Sequence, residues 1–377
     1  MIIVGGVYLE TCVVPETTQL LGSGGRAALA LSSFRSGLVL HTFQPVDFWE
    51  DLEANFRPYG IDCRPAPSSA RVEFSYLFPL ARPLRSPPLI ADRPRIDVVG
   101  TDVLCFGCVE GEVVVSAERA VVDPQGAPTW QFREGGGRAE RLAIVLNVSE
   151  VKARTGTQEI QEAALALLSD EQAEVVVVKD GPNGAYVFEQ GRAFHWIPAY
   201  ESAANYTIGS GDIFSAIFAH FWFEGMRPAG AADRASQYVA AYVESATLPL
   251  PTRLLRRQPR RPSNTQRLVL VVGGGSIASK WFGDIVQAAA ADLGIAEIET
   301  IELEPLLASE LRLADDGAVL FCALDRNSAQ AILSHRGARE SAATIFIDAS
   351  IAPEFDQAHG VRIESDLAQA LYDVCWT

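Results

Sequence analysis

No window of the sequence is long and apolar enough to span a bilayer, which argues against a helical membrane protein and against a membrane partner. The first residues, Met-Ile-Ile-Val-Gly-Gly, carry no basic region and no cleavage site. They read as a first β-strand and not as a signal peptide. Cysteine is sparse: six in 377 residues do not make a disulfide framework, so a reducing, cytoplasmic setting is expected. Cys105-Phe-Gly-Cys108 has C-x-x-C spacing, but it lies inside the apolar run Val103 to Val115. No second pair exists for zinc and no helix pattern follows, so the two read as strand cysteines in a core. The five histidines (His41, His195, His220, His335, His359) show no ligand spacing. His220 lies among Phe218, Phe221, Trp222 and Phe223 and reads as a packed side chain. Positive charge is also short, with 31 Lys and Arg against 47 Asp and Glu, a net charge of −16. That field disfavours nucleic acid and anionic membranes as partners, yet leaves room for a nucleotide site set by local geometry.

What is present is a long soluble chain with an α/β pattern. At 377 residues, with 48% apolar and 21% charged content, two domains are expected. Met1–Val7, Val39–Thr42, Val98–Cys105, Ala120–Asp123, Arg141–Asn147 and Glu174–Lys179 read as apolar strands. Glu112–Ser116 reads as a separate short strand, and Ala185–Phe188 as the return of a hairpin. Helices alternate with the strands, at about Arg26–Ser33, Val46–Phe56, Ile160–Leu168 and Ala231–Leu248. This implies a mainly parallel sheet covered on both faces. Leu21-Gly-Ser-Gly-Gly-Arg reads as a turn entering a helix. Its glycines suit either close helix-to-sheet packing or a backbone that approaches a polar ligand. Arg71 to Phe78 alternates as a half-exposed strand, and Pro79 to Pro94 reads as a surface loop. Together they fit a substrate lid or an edge strand with its turn. Polar residues gather at strand ends: Glu10, Asn147 with Glu150, and Asp212.

Asn205 to Phe218, N-Y-T-I-G-S-G-D-I-F-S-A-I-F, organises the rest. Glycines just before a helix leave successive N–H groups open toward one spot at the positive end of the helix dipole. Asp212 sits on the first turn and can reach the same spot. An anion cradle beside a carboxylate suits phosphoryl transfer to an alcohol, with the acid as base. A Gly-rich loop with a helix-start acid is the plainer alternative.

Four segments, in order, resemble the PfkB family of carbohydrate and nucleoside kinases. They are Gly24-Gly25-Arg26-Ala27-Ala28, Asn147-Val-Ser-Glu150 followed by Thr155-Gly156, Lys179-Asp-Gly-Pro-Asn-Gly-Ala185, and Thr207-Ile-Gly209-Ser-Gly211-Asp212. The resemblance spans roughly residues 1–250. It implies a ribokinase-like three-layer α/β/α sandwich and an ATP- and Mg²⁺-dependent kinase acting on a small-molecule alcohol, with a homodimer allowed. By position, Asp212 would be the base. The amides from Ile208 through Gly209 and Ser210 to Gly211 would form an anion hole, with Thr207 beside it. Lys179, Gly181 and Gly184 would lie along the nucleotide. Asn147 and Glu150 would organise the metal and its water. Glu10, Gly24, Gly25 and Arg26 would face the acceptor.

The sequence departs from the family pattern at three places. Tyr206 stands where the signature has Asp, Arg26 where Asn is usual, and Glu10 where Asp is common. A guanidinium suits carboxylate or phosphate. Arg26 therefore points to an acidic or phosphorylated acceptor, to a pocket no longer used for catalysis, or to a surface arginine.

Thr252 to Gln266 is basic, contains two prolines and reads as a linker. From Arg267 a small doubly wound α/β domain of Rossmann-like or flavodoxin-like type is expected. Its Gly273-x-Gly275-x-x-Ala278 follows a strand and opens a helix, and Glu302 ends the second strand. That pattern suits a nucleotide, a phosphate or simple packing. Asp315, Asp316, Asp325 and Asp348 lie near strand ends. Three functions remain open: a small-molecule kinase, a non-catalytic nucleotide or sugar sensor regulating the C-terminal domain, and a nucleotide-processing activity in that domain.

Overall fold

The structure is a computed structural model, and it describes residues 1–90, 92–125, 131–262, 267–273, 277–303, 317–334, 343–355 and 362–376. The chain divides into two compact units, one of Met1–Ser202 with Tyr206–Pro259, the other of Ala203–Asn205 with Arg260–Thr377. The division after Pro259 falls inside the basic segment expected as a linker. Among the described residues no helix is long and apolar enough to cross a membrane.

The first unit opens with β1 (Ile2–Val4), β2 (Leu9–Cys12), β3 (Thr17–Leu20), α1 (Gly22–Ser32), β4 (Leu38–Gln44), α2 (Trp49–Phe56) and β5 (Ile61–Pro67). It continues with β6 (Glu73–Tyr76), β7 (Leu84–Ser86), β8 (Arg95–Phe106), β9 (Glu112–Asp123) and β10 (Arg138–Asn147). It closes with α3 (Val148–Thr155), α4 (Ile160–Asp170), β11 (Val175–Lys179), β12 (Ala185–Glu189), β13 (His195–Ile197), α5 (Ser210–Phe223) and α6 (Pro228–Ser245). Nine strands form one sheet in the order β13-β12-β11-β10-β9-β8-β1-β4-β5. β12 and β13 pair antiparallel at one edge, and the other seven strands run parallel.

The period-2 pattern of the strands explains the three layers. Ile3, Leu104, Val121 and Val145 enter one core, with α1, α5 and α6. Their chain neighbours Val4, Cys105, Val122 and Leu146 enter the opposite core, with α3 and α4. A strand buried on both faces reads as a continuous apolar run, and each such side chain contributes about 1.5–3 kcal/mol.

Two local readings change. Glu112–Ser116 and Ala120–Asp123 are one strand, because Ala117 and Arg119 stay paired with β8 and β10 across the polar gap. Gly22 to Gly25 lie inside α1 and not in a turn before it. The glycines allow α1 to press on the sheet: a Cβ on Gly24 would stand 2.6 Å from the Gly5 carbonyl oxygen. Gly24→Ala is therefore expected to lower stability by about 1–3 kcal/mol through overpacking, measured by urea unfolding. Within Arg71 to Phe78, the strand itself is β6, and the Pro79–Pro94 segment contributes the short β7.

A second, four-stranded sheet has the order β3-β2-β6-β7. Glu10 belongs to this sheet, on β2, and not to the end of the first strand. In the second unit, five parallel strands stand in the order Glu297–Glu302, Arg267–Val272, Gly317–Ala323, Ala343–Ile347, Arg362–Glu364. That is a doubly wound order, with helices Ile277–Asp292, Arg326–Ser334 and Leu367–Trp376 between or after the strands.

Candidate active site

A cavity of about 1030 Å³ in the first unit collects residues from both of its sheets and from α1, α3 and α5. Glu10, Arg26, Asn147, Glu150, Lys179, Gly209, Gly211 and Asp212 all line it. These come from residues up to 202 positions apart in sequence. They meet because the parallel strands all end on the side where α1, α3 and α5 begin.

Asp212 sits on the first turn of α5, behind Gly209 in the left-handed conformation (φ 76°). A side chain at Gly209 is excluded on a second ground, since its Cβ would fall 2.0 Å from Arg26 Nε. Arg26 is 1% exposed and lies directly under this loop. It donates to Asp212 Oδ2 (2.7 Å), to a Glu10 carboxylate oxygen and, through Nε, to Tyr242 Oη (3.1 Å). Tyr242 in turn donates to the Ile208 carbonyl at 2.9 Å. The guanidinium thus joins the two carboxylates and braces the loop before α5. Burial opposes its charge, but Glu10, Tyr242 and Asp212 hold its pKa well above the usual value. Burial pushes the Asp212 and Glu10 carboxyls up, and Arg26 pulls both back part of the way.

Two further residues join this cluster from positions no motif marks. Gln125, at positive φ after β9, donates to Asp212 Oδ1 at 2.6 Å. Asp123, at the end of β9, accepts from Lys179 Nζ at 2.7 Å and from Ser215 Oγ at 2.6 Å. Burial works against the Lys179 charge, but Asp123 and then Glu150 outweigh it and hold the ammonium above its usual range. A Cβ on Gly211 would stand 3.3 Å from Lys179 Nζ, so the cation lies against the first turn of α5. The first amides of a helix have no carbonyl one turn back. Of these, Ser210 N–H is already given to Thr207 O at 3.0 Å. The only signal in the sequence for Asp123 and Gln125 was their place at a strand end, in Val-Asp-Pro-Gln.

Asn147 and Glu150 form a capping box at the start of α3. Asn147 Oδ1 accepts from Glu150 N–H at 2.8 Å, and Glu150 Oε2 accepts from Asn147 N–H at 2.8 Å. Ser149 Oγ also donates to Asn147 Oδ1, at 2.7 Å. An amide oxygen, a hydroxyl and a carboxylate on the cavity wall are hard donors of the kind Mg²⁺ accepts. Among the described residues no group of three His, Cys, Asp or Glu could hold a metal alone. The set therefore fits an ion that takes most of its ligands from water and phosphate.

The other expected site residues stand apart from the cavity lining. Gly24 and Gly25 serve packing, the latter against Phe56, whose ring a Cβ would meet at 2.7 Å. Gly181 and Gly184 shape the turn before β12, where a Cβ on Gly184 would fall 2.0 Å from the Ile197 carbonyl oxygen. Tyr206 Oη meets Thr17 Oγ1 at 3.2 Å, and Thr207 Oγ1 donates to Pro79 O at 2.8 Å. Ile208 is buried in the core.

Beside the cavity, Glu110 is 1% exposed and accepts from Tyr8 Oη at 2.9 Å, while its Oε1 has no partner among the described residues. Burial raises its carboxyl from 4.5 to about 7. Between these values the unfolded chain loses this proton and the folded chain keeps it, so stability falls as pH rises from about 4.5 to about 7. Glu110→Gln is expected to remove that slope. Its melting temperature relative to wild type should climb from pH 5 to pH 7 and level off above, measured by calorimetry.

Cys105 and Cys108 are free thiols. Burial pushes Cys105 to about 12 and Cys108 well above its ordinary value, but only Cys105 is a strand cysteine in the core: Cys108 lies past the end of β8, half-buried, on the cavity wall. His220 accepts from Arg35 Nε at 2.9 Å, and burial, then Arg35, lowers its pKa to about 4. It is a packed side chain. In the second unit, Gly273 faces Ser328, whose Oγ a Cβ would meet at 2.6 Å. Asp325 caps that helix start by accepting from Ser328 N–H (2.9 Å) and Oγ (2.8 Å). Asp348 accepts from Ser350 in a turn, and Glu302 pairs with Lys280 at 3.2 Å. Gly275, the side chain of Ala278, Asp315, Asp316, His335 and His359 lie outside the described residues.

Residues 117–252 match the sequence model of the pfkB family carbohydrate kinases. Among solved structures, the sulfate complex of a pyrophosphate-dependent kinase in the ribokinase family aligns with a TM-score of 0.50. Its identity is 15%, over 67% of this chain and 98% of that one. A ribokinase from Thermotoga maritima aligns at 0.48 with 18% identity, over 66% of this chain and 95% of the other. A PfkB protein from Polaromonas sp. JS666 aligns at 0.49 with 16% identity, over 65% and 96%. No curated protein sequence matches the chain at a significant level. The first unit is thus PfkB-like in sequence over the matched residues and ribokinase-like in fold.

Proposed function

We propose that this PfkB-like unit is a phosphotransferase that moves a phosphoryl group, from ATP with Mg²⁺, to a hydroxyl of a sugar-like or nucleoside-like small molecule. The observation that carries the reading is the meeting of Asp212, Lys179 and the first turn of α5 in one cavity with Asn147 and Glu150. Asp212 is the base. Its Oδ2 is fixed by Arg26, so Oδ1, held by Gln125, is the oxygen that would accept the hydroxyl proton. The raised pKa of its carboxyl suits a base working nearer neutrality than an ordinary aspartate. Lys179, kept charged by Asp123, offsets negative charge that develops where the transferred oxygens meet the first-turn amides. Asn147 and Glu150 would hold the ion and its water, and the ion would neutralise the donor phosphates.

A second reading, a non-catalytic sensor, is favoured by one observation. Both acidic side chains expected at the acceptor end, Glu10 and Asp212, are already engaged by Arg26. The two readings separate on turnover of the full chain with Mg-ATP across sugars and nucleosides. Pyrophosphate belongs in the donor panel, because the structural neighbour with the TM-score of 0.50 is described as pyrophosphate-dependent. Phosphorylated product from any acceptor supports the kinase. Donor binding with no product from any pair supports the sensor.

A further inference from the structure

The protein carries a net charge of −16, yet the candidate active-site cavity is lined by five cations against four acids. Two of those cations are spent internally, Arg26 on Glu10 and Asp212, and Lys179 on Asp123. Arg85 and Arg93 make no ion pair among the described residues; Arg85 is half-buried, while Arg93 is exposed and near enough to the Glu110 carboxyl to lower its pKa. Arg85 donates to the Pro88 carbonyl, and Arg93 to the carbonyls of Cys108 (3.4 Å) and Gly111 (3.1 Å). A carbonyl satisfies an N–H but does not neutralise a guanidinium, whereas phosphate or carboxylate does both, often with two parallel bonds.

We infer, resting on the phosphotransferase reading, that the acceptor is itself an anion: an alcohol bearing a phosphate or carboxylate remote from the reacting hydroxyl, with Arg85 and Arg93 holding that charge. The strand register places Arg85 for it, and Arg93 lines the same cavity. Glu10 on β2 stands opposite Phe74 on β6, and Phe74 stands opposite Arg85 on β7. Residues in one cross-strand row share a face of a sheet. All three line the cavity. Strands are spaced about 4.8 Å apart, so the Arg85 backbone is roughly 10 Å from that of Glu10. Glu10 marks the end where Arg26 holds Asp212, so the row from the reacting end to Arg85 spans roughly the length of a phosphorylated hexose. Between them the Phe74 and Tyr8 rings, 5.0 Å apart, form an apolar wall.

An independent observation also points to a ligand. Ser23 is 3% exposed and lines the same cavity, and its Oγ has no hydrogen-bond partner among the described residues. A buried hydroxyl left unpaired is unfavourable, and a ligand hydroxyl at this wall would satisfy it.

The test is calorimetric titration of the full chain with a neutral hexose, the matching hexonate and the hexose 6-phosphate. Wild type is compared with Arg85→Gln, Arg93→Gln and the double variant. At least one anionic ligand should bind roughly tenfold or more tightly than the neutral hexose, and each substitution should weaken that anion roughly tenfold while leaving the neutral hexose unchanged. Preference for the 6-phosphate identifies a phosphate subsite, and preference for the hexonate a carboxylate subsite. Equal affinity for neutral and anionic sugars, no binding of either anion, or anion binding that survives both substitutions overturns the inference. Binding is read without turnover. Anion binding with no phosphoryl transfer therefore sinks the kinase reading alone, and phosphorylation of neutral sugars only sinks the anionic acceptor alone.

Discussion

Replacing Asp212 by Asn is expected to lower kcat roughly 10²–10⁴-fold, the contribution of a positioned general base, while donor affinity stays within a few-fold. Asn keeps the size of the side chain and leaves Arg26 paired with Glu10, so the cavity wall survives. What is lost is the capacity of Oδ1 to accept a proton. The pH dependence gives a second signature. Burial raises the Asp212 carboxyl above its ordinary value, so wild-type kcat should fall as acid protonates it, beginning at a higher pH than for an exposed aspartate. The residual rate of the Asn variant should lack that acid limb. Steady-state kinetics from pH 5 to pH 9 measures both. A variant that keeps most of its kcat would remove Asp212 from the chemistry.

Arg26→Gln is expected to be the most destabilising single change in the site, at about 3–5 kcal/mol for the N-terminal unit. The guanidinium is 1% exposed and compensates two buried carboxylates. Without it, Glu10 and Asp212 face each other with no cation between them. Part of the cost should disappear in acid. Burial already raises both carboxyls and Arg26 is the strongest influence that lowers them, so its removal moves them further up. Below those raised values both are neutral and their repulsion is gone. Denaturant unfolding should therefore show a large difference between variant and wild type at pH 8 and a smaller one at pH 5. Whatever activity remains should have its acid limb shifted to higher pH. An unchanged melting curve at pH 8 would mean that the ion pairs are not made in solution.

The local patterns carried the fold because they are local. Apolar runs such as Val175–Val178 are buried on both faces of a parallel sheet, and a continuous apolar run of strand length suits that position. Asn147-Val-Ser-Glu150 is a capping box, legible from its three-residue spacing, and Gly209-Ser-Gly-Asp212 is a helix start legible from its glycines. The site was legible only in outline. Arg26 was expected to face an acceptor, but its partners Glu10 and Asp212 lie 16 and 186 residues away, and no spacing rule connects them. Asp123 and Gln125 were hidden for the same reason, since their partners Lys179 and Asp212 come from other strands and helices. The glycines of α1 were ambiguous because close packing and ligand approach require the same missing Cβ. At Gly24 the Gly5 carbonyl oxygen, 2.6 Å from where a Cβ would be, shows that close packing by itself requires a glycine.

On the phosphotransferase reading, the acid at the first turn of α5 directs phosphoryl transfer to an alcohol. The most direct test is a single-turnover experiment with labelled donor, either Mg-ATP or pyrophosphate, and the anionic and neutral hexoses together. Label is expected on an alcohol oxygen within the first turnover of wild type and not on that timescale with Asp212→Asn. Label that stays on the donor in wild type, with the donor demonstrably bound, would contradict it.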